Sequence, residues 1–88
     1  MKDFSVIIPC WIVNDELLQL TKNAIDSLGD CNLIIVDNAS PLGGGYLRDK
    51  ADLYIRNKTN EGYARAVNKG LKLTKTKMVA IVNNDTRI

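Results

Sequence analysis

The chain has 88 residues, of which 45% are hydrophobic and 25% charged, with a formal charge of +2. That length holds one small domain or part of a larger one, and the dispersed, nearly balanced charge argues against nucleic acid as a partner. No stretch approaches the roughly 20 apolar residues of a transmembrane segment, and the absence of histidine removes Ser-His or Cys-His nucleophile pairs and the usual zinc sites.

The first element is "FSVIIP" (4–9), a β-branched run stopped by proline, and it reads as a strand. The apolar stretch around it is too short for a signal peptide and is interrupted by Asp3, so a cytoplasmic location is expected. Cys10 and Cys31 form no metal-binding spacing and are expected to remain thiols. Next, "NDELLQLTKNAIDSLGD" (14–30) places Leu17, Leu18, Thr21, Ala24, Ile25 and Leu28 at helical spacing. Asn14 or Asp15 can cap its start, Asp15 and Glu16 suit the positive end of the dipole, and Gly29 is a natural stop. "NLIIVDN" (32–38) is a second strand whose apolar run ends abruptly at Asp37.

The connection "ASPLGGGYLRDKA" (39–51) is rich in turn formers, with a flexible loop expected at the three glycines and one irregular helical turn near Tyr46 to Lys50. No Gly-Lys-Ser/Thr follows those glycines, so they do not form a P-loop. "DLYIRN" (52–57) has the short, mixed character of an edge strand. "NEGYARAVNKGLKLTK" (60–75) is a helix with Asn60 as cap and Tyr63, Ala66, Val67, Gly70 and Leu71 as its apolar stripe. "MVAIVNND" (78–85) is the fourth strand. Continuous apolar runs suit parallel strands covered on both faces. The order β-α-β-loop-β-α-β therefore predicts an α/β, Rossmann-like parallel sheet of strand order 3-2-1-4 with helices on both faces.

In such sheets ligands bind beyond the carboxyl ends of the strands, where the winding reverses. Polar residues collect at that edge: Pro9, Cys10 and Trp11 after the first strand, Asp37, Asn38 and Ser40 after the second, Asn57 and Asn60 after the third, Asn83, Asn84 and Asp85 after the fourth. Asp85 beside two amides is a candidate ligand for Mg²⁺ or Mn²⁺, since such an ion needs only one or two carboxylates when phosphates complete its shell. Asp37 either caps its loop or accepts hydrogen bonds from a ligand. Arg65, in the first turn of its helix, opposes the dipole, which a phosphate or acidic partner would explain; Asn68 shares its side. A phosphoacceptor receiver domain would need an acidic pair where Pro9–Cys10–Trp11 stands, and a sugar nucleotidyltransferase would need a basic, Gly-rich loop there.

"SVIIPCW", "IIVDNAS", "NEGYARAVNKGL" and "VNNDT" resemble, in order and approximate spacing, the family 2 glycosyltransferases of the GT-A fold. The resemblance spans almost the whole chain, and its weight lies in four motifs in register. "NND" resembles the DXD-type metal motif in an asparagine-first form, whereas Ile12 departs from an asparagine common after the aromatic. The resemblance implies a nucleotide-diphosphate sugar donor held by Pro9, Cys10, Trp11, Asp37, Asn38, Arg65, Asn68, Asn83 and Asn84, with Asp85 on the metal. Asp37 would meet the base, Arg65 the base or phosphate region, and Asn83 the ribose side. It implies inverting transfer to an acceptor hydroxyl, with the general base in a region beyond the DXD motif. Residues 1–88 are then expected to be the donor-binding half of a GT-A domain, inactive alone. The alternative is an α/β nucleotide-binding or structural piece without turnover. An uncovered fourth strand, apolar and free of proline, predicts self-association.

Overall fold

A computed structural model describes residues 3–84. Its elements are β1 (Phe4–Cys10), α1 (Asp15–Asp26), β2 (Asn32–Asp37), α2 (Gly44–Lys50), β3 (Leu53–Arg56), α3 (Tyr63–Leu73) and β4 (Met78–Ile81). The four strands pair in parallel in the order β3-β2-β1-β4, as the pattern of apolar runs requires. Winding reverses at β1, which pairs with β2 on one side and β4 on the other.

Alternation along the two central strands divides the core between the two faces. Val6, Ile8, Cys10, Leu33 and Ile35 pack with Ile25 of α1 and Leu47 of α2. Ile7, Ile34 and Val36 pack with Ala66 of α3. Each such fully buried branched side chain contributes about 1.5–3 kcal/mol, and this explains why β1 and β2 need no polar face.

The cap at α1 is Asn14, whose Oδ1 accepts from the Leu17 N–H at 2.8 Å. The helix stops before Gly29: the Ser27 N–H donates to the Asn23 and Ala24 carbonyls, and the Ser27 hydroxyl to the Ala24 carbonyl at 2.7 Å. Local hydroxyl bonding of this kind ends a helix without glycine.

Residues 43–50 differ from the expected flexible loop. Gly43 takes φ 84°, and Gly44 and Gly45 form the first turn of a regular helix. Leu47, fully buried, anchors it, and the Tyr46 ring lies under Lys22 and Lys50 at 5.0 and 5.8 Å. One buried leucine in seven residues leaves no periodicity to read, so tertiary packing decided this helix.

The N-cap of α3 is Gly62 rather than Asn60, although Asn60 Oδ1 accepts from the Gly62 N–H at 2.9 Å. Ala66 and Gly70 give α3 a small face, and it lies so close to β1 that a Cβ at Gly70 would sit 2.6 Å from Ile7 Cγ2. Of the expected stripe, Ala66, Val67 and Gly70 are buried, whereas Tyr63 and Leu71 are exposed. No helix among the described residues is long and apolar enough to cross a membrane.

Candidate functional site

The carboxyl ends of β1 and β2, the start of α3 and the residues after β4 enclose a hollow of about 270 Å³. Pro9, Cys10, Trp11, Asn38, Asn60, Gly62, Tyr63 and Asn84 line it. This is the reversal point of the sheet, where helical crossovers leave opposite faces and their loops part. Trp11 and Tyr63 border the hollow and are 50% and 57% exposed as whole residues.

Asp37 and Asn38 organise the floor from the two faces of the sheet. Asp37 is fully buried on the α1/α2 face. Its Oδ1 accepts from the Ser40 N–H at 2.9 Å, and its Oδ2 accepts from the Tyr54 hydroxyl at 2.5 Å and from Arg56 Nη1 at 3.0 Å. Arg56 Nη2 also donates to the Ser40 carbonyl, and Ser40 Oγ accepts from the Ile12 N–H at 2.7 Å. The chain can turn back this tightly because Ala39 takes φ 62°, a left-handed conformation costing an L-residue about 1–2 kcal/mol. Burial, and then the hydrogen bond to Asp37, push the Tyr54 hydroxyl pKa up. Burial pushes the neighbouring Cys10 thiol up to about 12, reinforced by the Asp37 charge and opposed by Ser40 and Arg56. Cys10 is therefore a neutral wall residue and no nucleophile at ordinary pH.

Asn38, on the α3 face, makes a neutral network. Its Oδ1 accepts from Asn57 Nδ2 at 2.7 Å and from the Glu61 N–H at 3.4 Å, and its Nδ2 donates to the Gly62 carbonyl at 3.2 Å. The backbone continues the strand pairing: the Asn38 N–H donates to the Cys10 carbonyl and the Asn57 N–H to the Asp37 carbonyl.

The structure thus brings Pro9, Cys10, Trp11, Asn38 and Asn84 together at one mouth. Asn84 is steadied by donating from Nδ2 to Thr21 Oγ1 at 3.1 Å. Asn83 is exposed and does not line the mouth. Asp37 does not line it, and its carboxylate is committed to three donors of this chain. Arg65 and Asn68 do not line this mouth. They line a second hollow of about 250 Å³ with Glu61, Lys69 and Lys72. Arg65 follows Tyr63 by two residues, roughly 200° around the helix, so the two leave different sides of it. Glu61 supplies Arg65 with an acidic neighbour there.

Asp85 lies outside the described residues. Among the described residues, no group of three or more Cys, Asp or Glu side chains could hold a metal ion, and no carboxylate lines the mouth. The described residues therefore do not by themselves fit a divalent cation.

Gly62 and Tyr63 were missed as mouth residues, whereas Asn60 was expected at this edge. The available signal was position: Tyr63 opens its helix, and helical side chains tilt toward the N-terminus. An aromatic there extends past the packed stripe and over the strand ends.

A search of curated proteins finds no match to the chain. The family described as glycosyl transferase family 2 matches residues 5–88, which covers every strand and the whole mouth. With that match and the parallel sheet in the order β3-β2-β1-β4, the chain belongs to glycosyltransferase family 2.

Proposed function

We propose that the chain is the donor-binding half of an inverting glycosyltransferase, holding a nucleotide-diphosphate sugar while an acceptor hydroxyl attacks the anomeric carbon. One observation carries the reading: a mouth at the sheet's reversal point is bordered by two exposed aromatic rings and lined by amides. Exposed rings beside a polar hollow can stack on a planar base, and side-chain amides offer donors and acceptors for ribose and phosphate oxygens without repelling charge. Asp37 contributes by holding the loop 37–40 in its turned-back shape. Cys10, held neutral, adds no negative charge beside a diphosphate.

A Mn²⁺ or Mg²⁺ ion enters this proposal through Asp85 alone. Such an ion, when bound, would neutralise charge on the departing diphosphate. Binding without turnover is the second reading. It is favoured by the lack, among the described residues, of a carboxylate at the mouth to take the acceptor's proton. A cytoplasmic location and self-association belong to the same proposal. The first is supported by two cysteines that form no disulfide, the second by Met78 and Ile81, both exposed on the edge strand β4.

Calorimetric titration with uridine and thymidine diphosphates, with and without Mn²⁺, tests donor binding. Saturable heat that is lost in Trp11→Ala is the expected result. No binding of any nucleoside diphosphate, with or without the metal, would overturn the reading. Release of nucleoside diphosphate in the presence of sugar donor and acceptor distinguishes turnover from binding alone.

A further inference from the structure

Lys69 lies about two turns into α3 and does not line the mouth, yet its ammonium ends a hydrogen-bond chain that builds one of the mouth's walls. Nζ donates to Asn57 Oδ1 and pairs with Glu61 Oε1 at 3.1 Å. Asn57 is only 3% exposed, and its other amide atom, Nδ2, donates to Asn38 Oδ1. Asn38 Nδ2 then donates to the Gly62 carbonyl, and Asn38 Oδ1 accepts from the Glu61 N–H.

The direction of this chain has a chemical origin. An asparagine amide has a donor end and an acceptor end of nearly the same shape, so its orientation is set by its partners. An ammonium carries donors and no acceptor. Lys69 therefore selects the oxygen of Asn57 and leaves its nitrogen for Asn38. That choice makes Asn38 an acceptor on one side and turns its nitrogen to the Gly62 carbonyl. Gly62 needs such support: at φ 89° and ψ 166° it occupies a region open to glycine alone, where its own chain offers no preference. Tyr63 follows directly and carries one of the mouth's two exposed rings.

We propose that Lys69 is a positioning residue. Its donor-only chemistry orients Asn57, and through Asn38 it sets the lip formed by Asn60, Gly62 and Tyr63. The consequence for ligand binding rests on the nucleotide reading above; the orientation of the amides does not.

The test compares Lys69→Met, which removes the donors, with Lys69→Arg, which keeps donor-only chemistry, in the full ¹⁵N-labelled chain. In Lys69→Met, the side-chain amide resonances of Asn38 and Asn57 and the backbone amides of Gly62 and Tyr63 are expected to move. The Trp11 indole resonance stays in place. Uridine diphosphate with Mn²⁺ is expected to bind on the order of tenfold more weakly, as loss of one charge-assisted hydrogen bond implies. Lys69→Arg restores both. Unmoved amides in Lys69→Met, or no rescue by arginine, would overturn the proposal. If the parent binds no uridine diphosphate, the nucleotide reading fails separately and the amide resonances still decide the role of Lys69. Should Lys69→Met not fold, Lys69→Gln decides it: its amide offers an acceptor as well as a donor, so it no longer dictates the Asn57 oxygen, and the Asn57 and Asn38 side-chain amides must still move.

Discussion

Asp37 and Asn38 are adjacent at the end of β2, yet they face opposite sides of the sheet and stabilise it by different physics. Asp37 brings a full charge into the α1/α2 face and balances it with Arg56, Tyr54 and a backbone N–H. Asn38 faces α3 and links loop and helix through amides, with the charge of Lys69 kept at the half-exposed outer end. On the charged side, loss of Asp37 would leave the Ser40 N–H and the Tyr54 hydroxyl without their acceptor, while Arg56, half-exposed, would stay solvated. The neutral side is adjustable, since an amide can exchange partners at smaller cost. The exposed lip of the mouth, Gly62 and Tyr63, is built on the adjustable side.

The largest test of this contrast is Asp37→Ala, which is expected to cost about 3 kcal/mol because three donors lose a buried acceptor. In a chain of this size that leaves much of the population unfolded in a urea titration. Asn38→Ala should cost less, about 2 kcal/mol, and leave a folded protein with a loosened loop 57–62. Equal losses in the two variants would erase the proposed difference between the faces.

Alkaline stability sharpens the comparison, because the thiol and the phenol with raised pKa values at this corner both lie on the Asp37 side. Cys10 stands near 12 folded against an ordinary 9.0, and Tyr54 is raised from an ordinary 10.0. A raised folded value favours the protonated folded form, so the contribution is intact below the ordinary value and lost as pH climbs toward the folded one. Stability should fall above pH 9, at up to about 1.4 kcal/mol per pH unit as Cys10 titrates, with a smaller further fall from Tyr54 above pH 10. Denaturant midpoints measured across this range should decline less steeply in Tyr54→Phe above pH 10. They should decline as in the parent in Asn38→Ala.

Tyr63→Ala isolates the lip from the fold. Its ring is mostly exposed, so stability should change by no more than about 0.5 kcal/mol. Affinity for uridine diphosphate should fall by roughly 1 kcal/mol if the ring stacks on the base. The smallest effect is expected from Arg65→Ala. With its side chain in the second hollow, it should leave nucleotide affinity unchanged by titration. A marked loss would return Arg65 to the donor site.

Much of the architecture was legible because it depends on local, repeated signals. Ile7, Ile8, Ile34 and Ile35 are apolar without alternation, and that alone implies strands covered on both faces. The Asp37 and Asn84 positions were legible as polar ends of such strands. The helix at Gly44–Lys50 was legible only as one turn near Tyr46 to Lys50, because a single buried side chain, Leu47, packed on the flanking strands, leaves no apolar period to read. The separation of Arg65 and Asn68 from Tyr63 was not legible. Helical periodicity states which residues share a side, but not which side meets the strand ends.

What the amino-acid sequence determined by itself was the set of elements, their parallel order and the edge where polar groups gather. These follow from hydrophobic period and chain connectivity, both local properties. Only tertiary structure decided that Asp37 is consumed internally by Tyr54, Arg56 and Ser40, and that Asn38 answers to Lys69. A polar side chain's role depends on which partners reach it once water is excluded, and apart from Ser40 those partners come from β3, the loop after it and α3, distant in sequence.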